Sequence, residues 1–230
     1  PVAVTGITQV TALAAGVHFT VALRANGTVW RWGARYGLGS APHPFDTTPQ
    51  QVPGLSGVVS IGAGDYTACA VRSDGHVFGF GSGPLGDGGS TASDTPVEVS
   101  GIGNAIAVDG SNASACALLA SGTIKCWGYT DQTEQLETVP VLVSGISNAI
   151  DVSLDGGVTC AALADGTVKC WGSNTAGLLG IGSLSPDHST TPLAVSGLSN
   201  VTELRAASTQ HVCALLSTGA VRCWGRNDEG

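Results

Sequence analysis

Cys160-Ala-Ala-Leu-Ala-Asp-Gly-Thr-Val-Lys-Cys170-Trp171-Gly172 decides the fold, because its frame can be laid over the chain four more times without a gap. Two short apolar runs flank Ala-Asp-Gly, a tight-reversal signal in which glycine supplies the positive φ. The stretch reads as a β-hairpin. Period-two alternation sends Val168 and Cys170 to one face and Lys169 and Trp171 to the other. Both faces carry apolar bulk, so the hairpin belongs inside a stack of sheets, with the Lys169 stem lying along its neighbours and the ammonium emerging at an edge. The other copies are Val21 to Gly33, Cys69 to Gly81, Cys116 to Gly128 and Cys213 to Gly225.

A second element repeats in phase: Pro1-Val-Ala-Val-Thr-Gly6, Pro49-Gln-Gln-Val-Pro-Gly54, Pro96-Val-Glu-Val-Ser-Gly101, Pro140-Val-Leu-Val-Ser-Gly145 and Pro192-Leu-Ala-Val-Ser-Gly197. Successive glycines lie 48, 47, 44 and 52 residues apart, a period typical of propellers and solenoids. Each unit runs in order through an apolar segment (Val10 to Ala15, Val58 to Ala63, Ala105 to Asp109, Ala149 to Leu154, Val201 to Ala206), two hairpin strands, a variable loop and Pro-x-x-Val. That makes four strands per unit. A proline-led strand fits a sheet edge, where a missing amide donor costs nothing, so Pro-x-x-Val should be outermost and the first segment innermost.

The 230 residues fit one array of repeats, expected as a single domain 1–230 with units at 7–53, 54–100, 101–144, 145–196 and 197–230, the last completed by 1–6. The 34 glycines and the absence of methionine suit short strands and tight turns. Nine Lys plus Arg against 17 Asp plus Glu give a formal charge of −8, without a basic cluster to follow a phosphate backbone. Nucleic acid is therefore not an expected partner. No run reaches the ~18 to 20 apolar residues of a membrane span. With no initiating Met and no signal peptide, the chain reads as processed, trimmed or taken from something longer.

Six of the seven cysteines form pairs ten residues apart at matching repeat positions: Cys116 with Cys126, Cys160 with Cys170 and Cys213 with Cys223. Each pair brackets a hairpin turn, and directly opposed residues of an antiparallel pair lie close enough for a disulfide. In the first copy both positions change together, to Val21 and Arg31; in the second Cys69 faces Gly79, leaving a thiol expected to react with alkylating agents. Reduced cysteines acting as small buried hydrophobes are the alternative. Zinc does not fit, since the spacing is not Cys-x-x-Cys and no histidine recurs beside it. Disulfides would imply an oxidising compartment, hence a secreted or cell-surface protein.

Trp171-Gly172-Ser-Asn174-Thr-Ala-Gly177-Leu-Leu-Gly180-Ile-Gly182 before Pro192, with Gly-x-Val-x-x-Trp-Gly ahead of it, resembles the repeat of the regulator of chromosome condensation family. The resemblance extends over essentially the whole chain. It implies an all-β fold, a β-propeller of five four-stranded blades, either closed as a five-bladed ring or part of a larger propeller. The family's Gly-x-x-His-x-x-Ala-Leu segment is met only in part: His211 fills the histidine position, while Phe19, Thr67, Ala113 and Val158 stand there in the other copies. The third loop, Tyr129 to Val139, has lost its glycines. Known members include a nucleotide exchange factor for a nuclear GTPase, a secreted bacterial inhibitor of β-lactamases and a plant photoreceptor, so fold alone does not choose an activity.

Candidate chemistry is sparse. His18, His43, His76, His188 and His211 have no metal-ligand spacing, and no cofactor, metal or catalytic set is expected. Asp46, Asp87, Asp94 and Asp187 lie in loops after the hairpins and are the candidate contacts for a cation or a basic partner. Trp32, Phe80, Trp127, Trp171 and Trp224 share one repeat position and so pack between units. Asn26-Gly-Thr28, Asn112-Ala-Ser114 and Asn200-Val-Thr202 match the glycosylation acceptor pattern. The expected function is a non-enzymatic extracellular module presenting loops to a protein or glycan. The alternatives are a subunit of an extracellular assembly that self-associates by exchanging terminal strands, or an exchange factor for a small GTPase. In a closed ring Pro1 to Val4 would pair with Val221 to Trp224.

Overall fold

The computed structural model describes residues 2–33, 46–131, 133–155, 157–207 and 211–227. It is all β apart from one short 3-10 turn at Thr175–Gly177. The first blade contains β1 (Val10–Ala15), β2 (Phe19–Arg24), β3 (Val29–Gly33) and β4 (Asp46–Gln51), and the second β5 (Val58–Ala63), β6 (Thr67–Arg72), β7 (His76–Gly81) and β8 (Ser93–Gly103). The third contains β9 (Ala105–Ser111), β10 (Ser114–Leu119), β11 (Ile124–Tyr129) and β12 (Leu136–Leu142), and the fourth β13 (Ala149–Asp155), β14 (Val158–Leu163), β15 (Val168–Ser173) and β16 (His188–Ala194). The fifth has β17 (Val201–Ala207), β18 (His211–Leu216) and β19 (Val221–Gly225).

Within every blade the strands pair antiparallel in chain order, the meander expected of a propeller. Contacts between blades run through β1, β5, β9, β13 and β17, which places the first strand of each unit innermost, as its sequence position suggested. The outer strand differs in detail from the sequence reading. Pro49, Pro96, Pro140 and Pro192 do not open it but sit inside it, each where the ladder to the preceding strand shifts register. A bulge leaves one residue without a ladder bond, and a proline without an N–H fills that place at no cost.

The hairpin register matches the alternation. Cys160 lies opposite Cys170, with Val168 and Cys170 packed toward the fifth blade and Trp171 toward the third. Lys169 Nζ donates to the Gly145 carbonyl at 3.1 Å and Lys125 Nζ to that of Gly101 at 3.0 Å, so each ammonium emerges at the edge and ties down the turn after the preceding Pro-x-x-Val. Sulfur separations are 2.13, 2.12 and 2.10 Å for Cys116 with Cys126, Cys160 with Cys170 and Cys213 with Cys223. Cys69 is buried, and that burial, with Asp109 adding to it, pushes its thiol up to about 12. The expected alkylation of Cys69 in the folded protein is therefore corrected, since the thiolate is the nucleophile.

The core is four sandwiches rather than one. Each seam between successive blades holds its own apolar cluster, for example Phe19, Val21, Val29, Val58 and Phe80 between the first and second. Among the described residues no such cluster joins the first blade to the fifth. Leu13 and Val221, on the outer faces of those blades, are 65% and 60% exposed. The expected strand closure also fails. Val2 is 94% exposed, residues 2–4 lie in no ladder, and among the described residues β19 pairs only with β18; Pro1 lies outside the described residues. Residues 2–4 precede β1 by a short turn, and among the described residues no strand pairing joins β1 to the fifth blade.

Candidate functional site

Antiparallel order puts two kinds of connection at one end of the blades: the turn after each innermost strand and the variable loop before each outermost strand. The hairpin turns lie at the other end. The variable loops have a structural task. Leu178 to Gly180 in the fourth blade form a seat for Trp224 of the fifth, whose indole Nε1 donates to the Leu178 carbonyl at 2.9 Å. A Cβ on Gly180 would come within 2.9 Å of that nitrogen, so only glycine permits the approach. Gly86 seats Trp127 of the third blade in the same way. Asn174 braces the fourth loop: its Nδ2 donates to the carbonyls of Ser183 and Pro186 at 2.9 and 2.7 Å, and its Oδ1 accepts from Leu179 N at 3.1 Å.

The third loop has lost those glycines, and here the structure opens. Between the third and fourth blades lies a cleft of about 250 Å³ lined by Asn112, Tyr129, Asp131 and Asp155 together with Ser111 and Ser114. Trp171, which has no glycine seat, borders a recess beneath it with Thr130, Asp131 and the Cys116–Cys126 bridge. Asp131 Oδ2 accepts from Thr159 Oγ1 at 3.0 Å, and Glu134 meets His188 at 3.1 Å, so the loop is fastened to the fourth blade by polar contacts instead. Burial raises the Asp131 carboxyl above the ordinary range, partly offset by Thr159 and His188. Asp155 Oδ1 accepts from Ser111 Oγ at 3.0 Å. On the second blade Asp65 is raised by burial and by the charge of Asp155.

Below the cleft a file of carboxylates stitches the inner strands. Asp109 Oδ2 accepts from Ser153 Oγ at 3.1 Å and Leu154 N at 3.2 Å, and Asp151 Oδ2 accepts from Leu204 N at 2.8 Å. Burial pushes Asp109 up to about 6, against the lowering effect of its hydrogen bonds and of Arg205. These groups are structural, because the atoms that would meet a ligand already meet the next blade.

The four acids expected from sequence are not brought together. Asp46 lies on the first blade, Asp87 and Asp94 on the second and Asp187 by the fourth. Asp87 Oδ1 accepts from Gly89 N at 3.0 Å, the Asp94 carbonyl takes Arg31 Nη1 at 3.4 Å, and the Asp187 carbonyl takes Asn174 N at 2.8 Å. His43 lies outside the described residues. Among those described, no group of three His, Cys, Asp or Glu side chains could hold a metal. Sequence reasoning passed over Asp131 and Asp155, although the glycine-poor loop that carries Asp131 was a visible departure.

Models of the regulator of chromosome condensation (RCC1) repeat match residues 58–86, 165–215 and 206–230. Prp20p of Saccharomyces cerevisiae superposes with a TM-score of 0.81 at 19% identity, over 94% of this chain and 58% of that one. Residues 58–86 and 165–230 thus carry sequence similar to RCC1 repeats, and the fold is a β-propeller like that of Prp20p. Human WBSCR16 gives 0.82 at 19% identity, over 96% of this chain and 63% of its own. The mitochondrial RCC1 domain-containing protein RUG3 of Arabidopsis thaliana is 36% identical over 87 residues, which is 36% of this chain and 20% of RUG3. The human E3 ubiquitin-protein ligase HERC2 is 38% identical over 86 residues, 34% of this chain and 2% of HERC2. The RCC1-like chain thus spans a fifth or less of these curated relatives. Among these similar proteins, Prp20p has binding properties to Gsp1p and histones. Among the described residues no helix is long and apolar enough to cross a membrane.

Proposed function

We propose that this RCC1-like propeller is a non-enzymatic interaction module of an oxidising compartment, secreted or held at a cell surface, that receives a basic side chain of a protein partner in the cleft between its third and fourth blades. The observation that carries this reading is the cleft itself. It opens beside the one described loop without seating glycines, and it presents Asp131 and Asp155 with the 64% exposed Tyr129 at its rim. An acidic rim in an acidic chain attracts cationic partners and disfavours polyanions. The three sulfur pairs at bonding distance support the compartment.

A photoactivatable residue at position 129 should crosslink to a protein in intact producing cells or their medium, and the same residue at Ser121, at the hairpin end, should not. Equal crosslinking from both positions would overturn the cleft, and carbohydrate adducts at 129 would make the partner a glycan. Seven alkylated cysteines in protein denatured without reduction, in place of the Cys69 thiol alone, would overturn the compartment.

Self-association is a second reading, supported by the unpaired outer edge of β19 and the exposed Val2 to Val4 segment. Sedimentation as a monomer at high concentration would exclude it. The exchange-factor reading rests on fold alone.

A further inference from the structure

Three Asn-x-Ser/Thr sequences occur in the chain, and the structure separates them. In all three the asparagine is exposed, so exposure does not discriminate. The hydroxyl does. Ser114 Oγ donates to the Ser111 carbonyl at 3.1 Å, and Thr202 Oγ1 donates to the Leu215 carbonyl at 3.2 Å, so in these two the hydroxyl is turned away from its asparagine. Thr28 instead donates to Asn26 Oδ1 from both its Oγ1, at 2.7 Å, and its backbone N, at 3.2 Å. Asn26 Oδ1 is thereby engaged twice while Nδ2 donates no hydrogen bond among the described residues. Polarising the carbonyl side of an amide from two donors lowers the cost of removing a proton from its nitrogen.

Backbone surroundings point the same way. The Asn112 backbone packs against Gly64 and that of Asn200 against Gly166, so closely that a Cβ on either glycine would come within 2.7 Å. Asn112 also lines the cleft. Asn26 sits at the tip of the β2–β3 hairpin, at the end of the propeller opposite the cleft. Its turn spans three residues, so the bonds to Thr28 can form before the blades assemble.

We propose that Asn26 is an N-glycosylation site and that Asn112 and Asn200 are not. The co-reactant is a polyprenyl-diphosphate-linked oligosaccharide. Asn26 Nδ2 bonds to the anomeric carbon, the carbon–oxygen bond to the diphosphate breaks, the polyprenyl diphosphate leaves with the electron pair, and the amide proton passes to a solvent base. The equivalent turns of the second and fourth blades carry Asp74 and Asp165, whose Oδ1 accepts the same backbone bond from His76 and Thr167 but which have no amide nitrogen to modify. A glycan at Asn26 covers the hairpin end and leaves the cleft free. The proposal rests on the oxidising-compartment reading.

The test is secretion of the whole chain from insect or mammalian cells, then peptide mass spectrometry before and after N-glycosidase treatment. Most molecules should carry glycan at Asn26, converted to aspartate on release, and Asn112 and Asn200 should be unmodified. Asn26→Asp keeps the turn in the form that Asp165 uses, so it should fold and lose the glycan. Secreted, disulfide-bonded chain with an unmodified Asn26, or with its glycan at Asn112 or Asn200, overturns the proposal and leaves the compartment reading standing. Because the host delivers the chain to its glycosylation machinery in any case, a failure of the compartment reading shows separately, as free thiols in protein from the native source.

Discussion

The seam between the first two blades and the seam between the third and fourth join equivalent strands by different chemistry. In the first, the inner-strand positions hold Ala12, Ala14 and Gly16, and the join is apolar, built around Phe19 and Phe80. In the other the matching positions of the third blade hold Ala107, Asp109 and Ser111, and Asp109 and Ser111 bond across to Ser153, Leu154 and Asp155. The disulfides follow the same division, present in the last three blades and absent from the first two. One repeat frame thus tolerates two kinds of seam: an apolar join alone, or an apolar join with directional bonds added between blades whose hairpins are each stapled internally.

Reduction is the strongest way to break this comparison. Each bridge closes a short loop and contributes about 2 to 3 kcal/mol in the chain-entropy model. Reducing all three should lower amide-exchange protection in β10, β11, β14, β15, β18 and β19 well before β2, β3, β6 and β7. Equal loss of protection in all blades would mean that the staples act through the whole array and that the seams are not independent.

A test of about 3 kcal/mol targets close approach. Gly62 has an ordinary backbone conformation, yet a Cβ there would meet Asp109 Cα at 2.8 Å and the Val108 carbonyl at 2.9 Å, both main-chain atoms that cannot swing aside. The first blade holds Ala14 at this position and accommodates its Cβ. Gly62→Ala should therefore lower the midpoint of urea unfolding sharply, while Ala14→Gly should shift it little. Similar shifts for both would show that the second seam is no tighter than the first.

Acid titration separates the seams by a comparable amount. The Asp109 carboxyl is at about 6 in the fold against 3.8 ordinarily, so between these values the folded chain binds the proton more tightly than the unfolded one. Stability from this group is full below about pH 4 and lost as pH rises through 6, by about 3 kcal/mol. Asp131 and Asp151, also raised by burial, act in the same direction. Asp74, held down to about 2 by Arg72, works oppositely, through stability lost as pH falls below 4. Thermal stability should thus peak near pH 4 to 5, and Asp109→Asn should flatten the decline toward pH 7. An unchanged slope in that variant would remove Asp109 as its source.

Much of this architecture was legible in the sequence because repeats place equivalent residues in equivalent roles. The ten-residue cysteine spacing and the shared aromatic position read directly onto a four-stranded blade, while the prolines marked the outer strand but sit inside it and not at its start. The closing strand misled, because a match in type between Pro1 to Val4 and the vacancy beside β19 says nothing about whether the first and fifth blades meet. Cys69 misled similarly. It lies in the apolar cluster between the second and third blades, closed in by residues such as Ala115 and Trp127 far along the chain. The cleft was half legible: the lost glycines marked the loop, but Asp155 joins it from the end of β13, which only the register reveals.

The finest distinction concerns a single hydroxyl in the seam between the second and third blades, which is intermediate in chemistry. There Ser60 Oγ accepts from Val108 N at 3.3 Å, and Gly62 and Gly64 allow the strands to approach. Ala12 is the equivalent residue in the first blade and makes no such bond. Ser60→Ala leaves the Val108 amide without this acceptor and should cost about 1 kcal/mol. In the Gly62→Ala background the seam is already wedged open and the hydrogen bond from Val108 to Ser60 is broken, so Ser60→Ala should then cost almost nothing. That makes the pair non-additive in a double-mutant cycle. Full additivity would mean that the hydroxyl acts only within its own blade, and the bond to Ser60 would not belong to the seam.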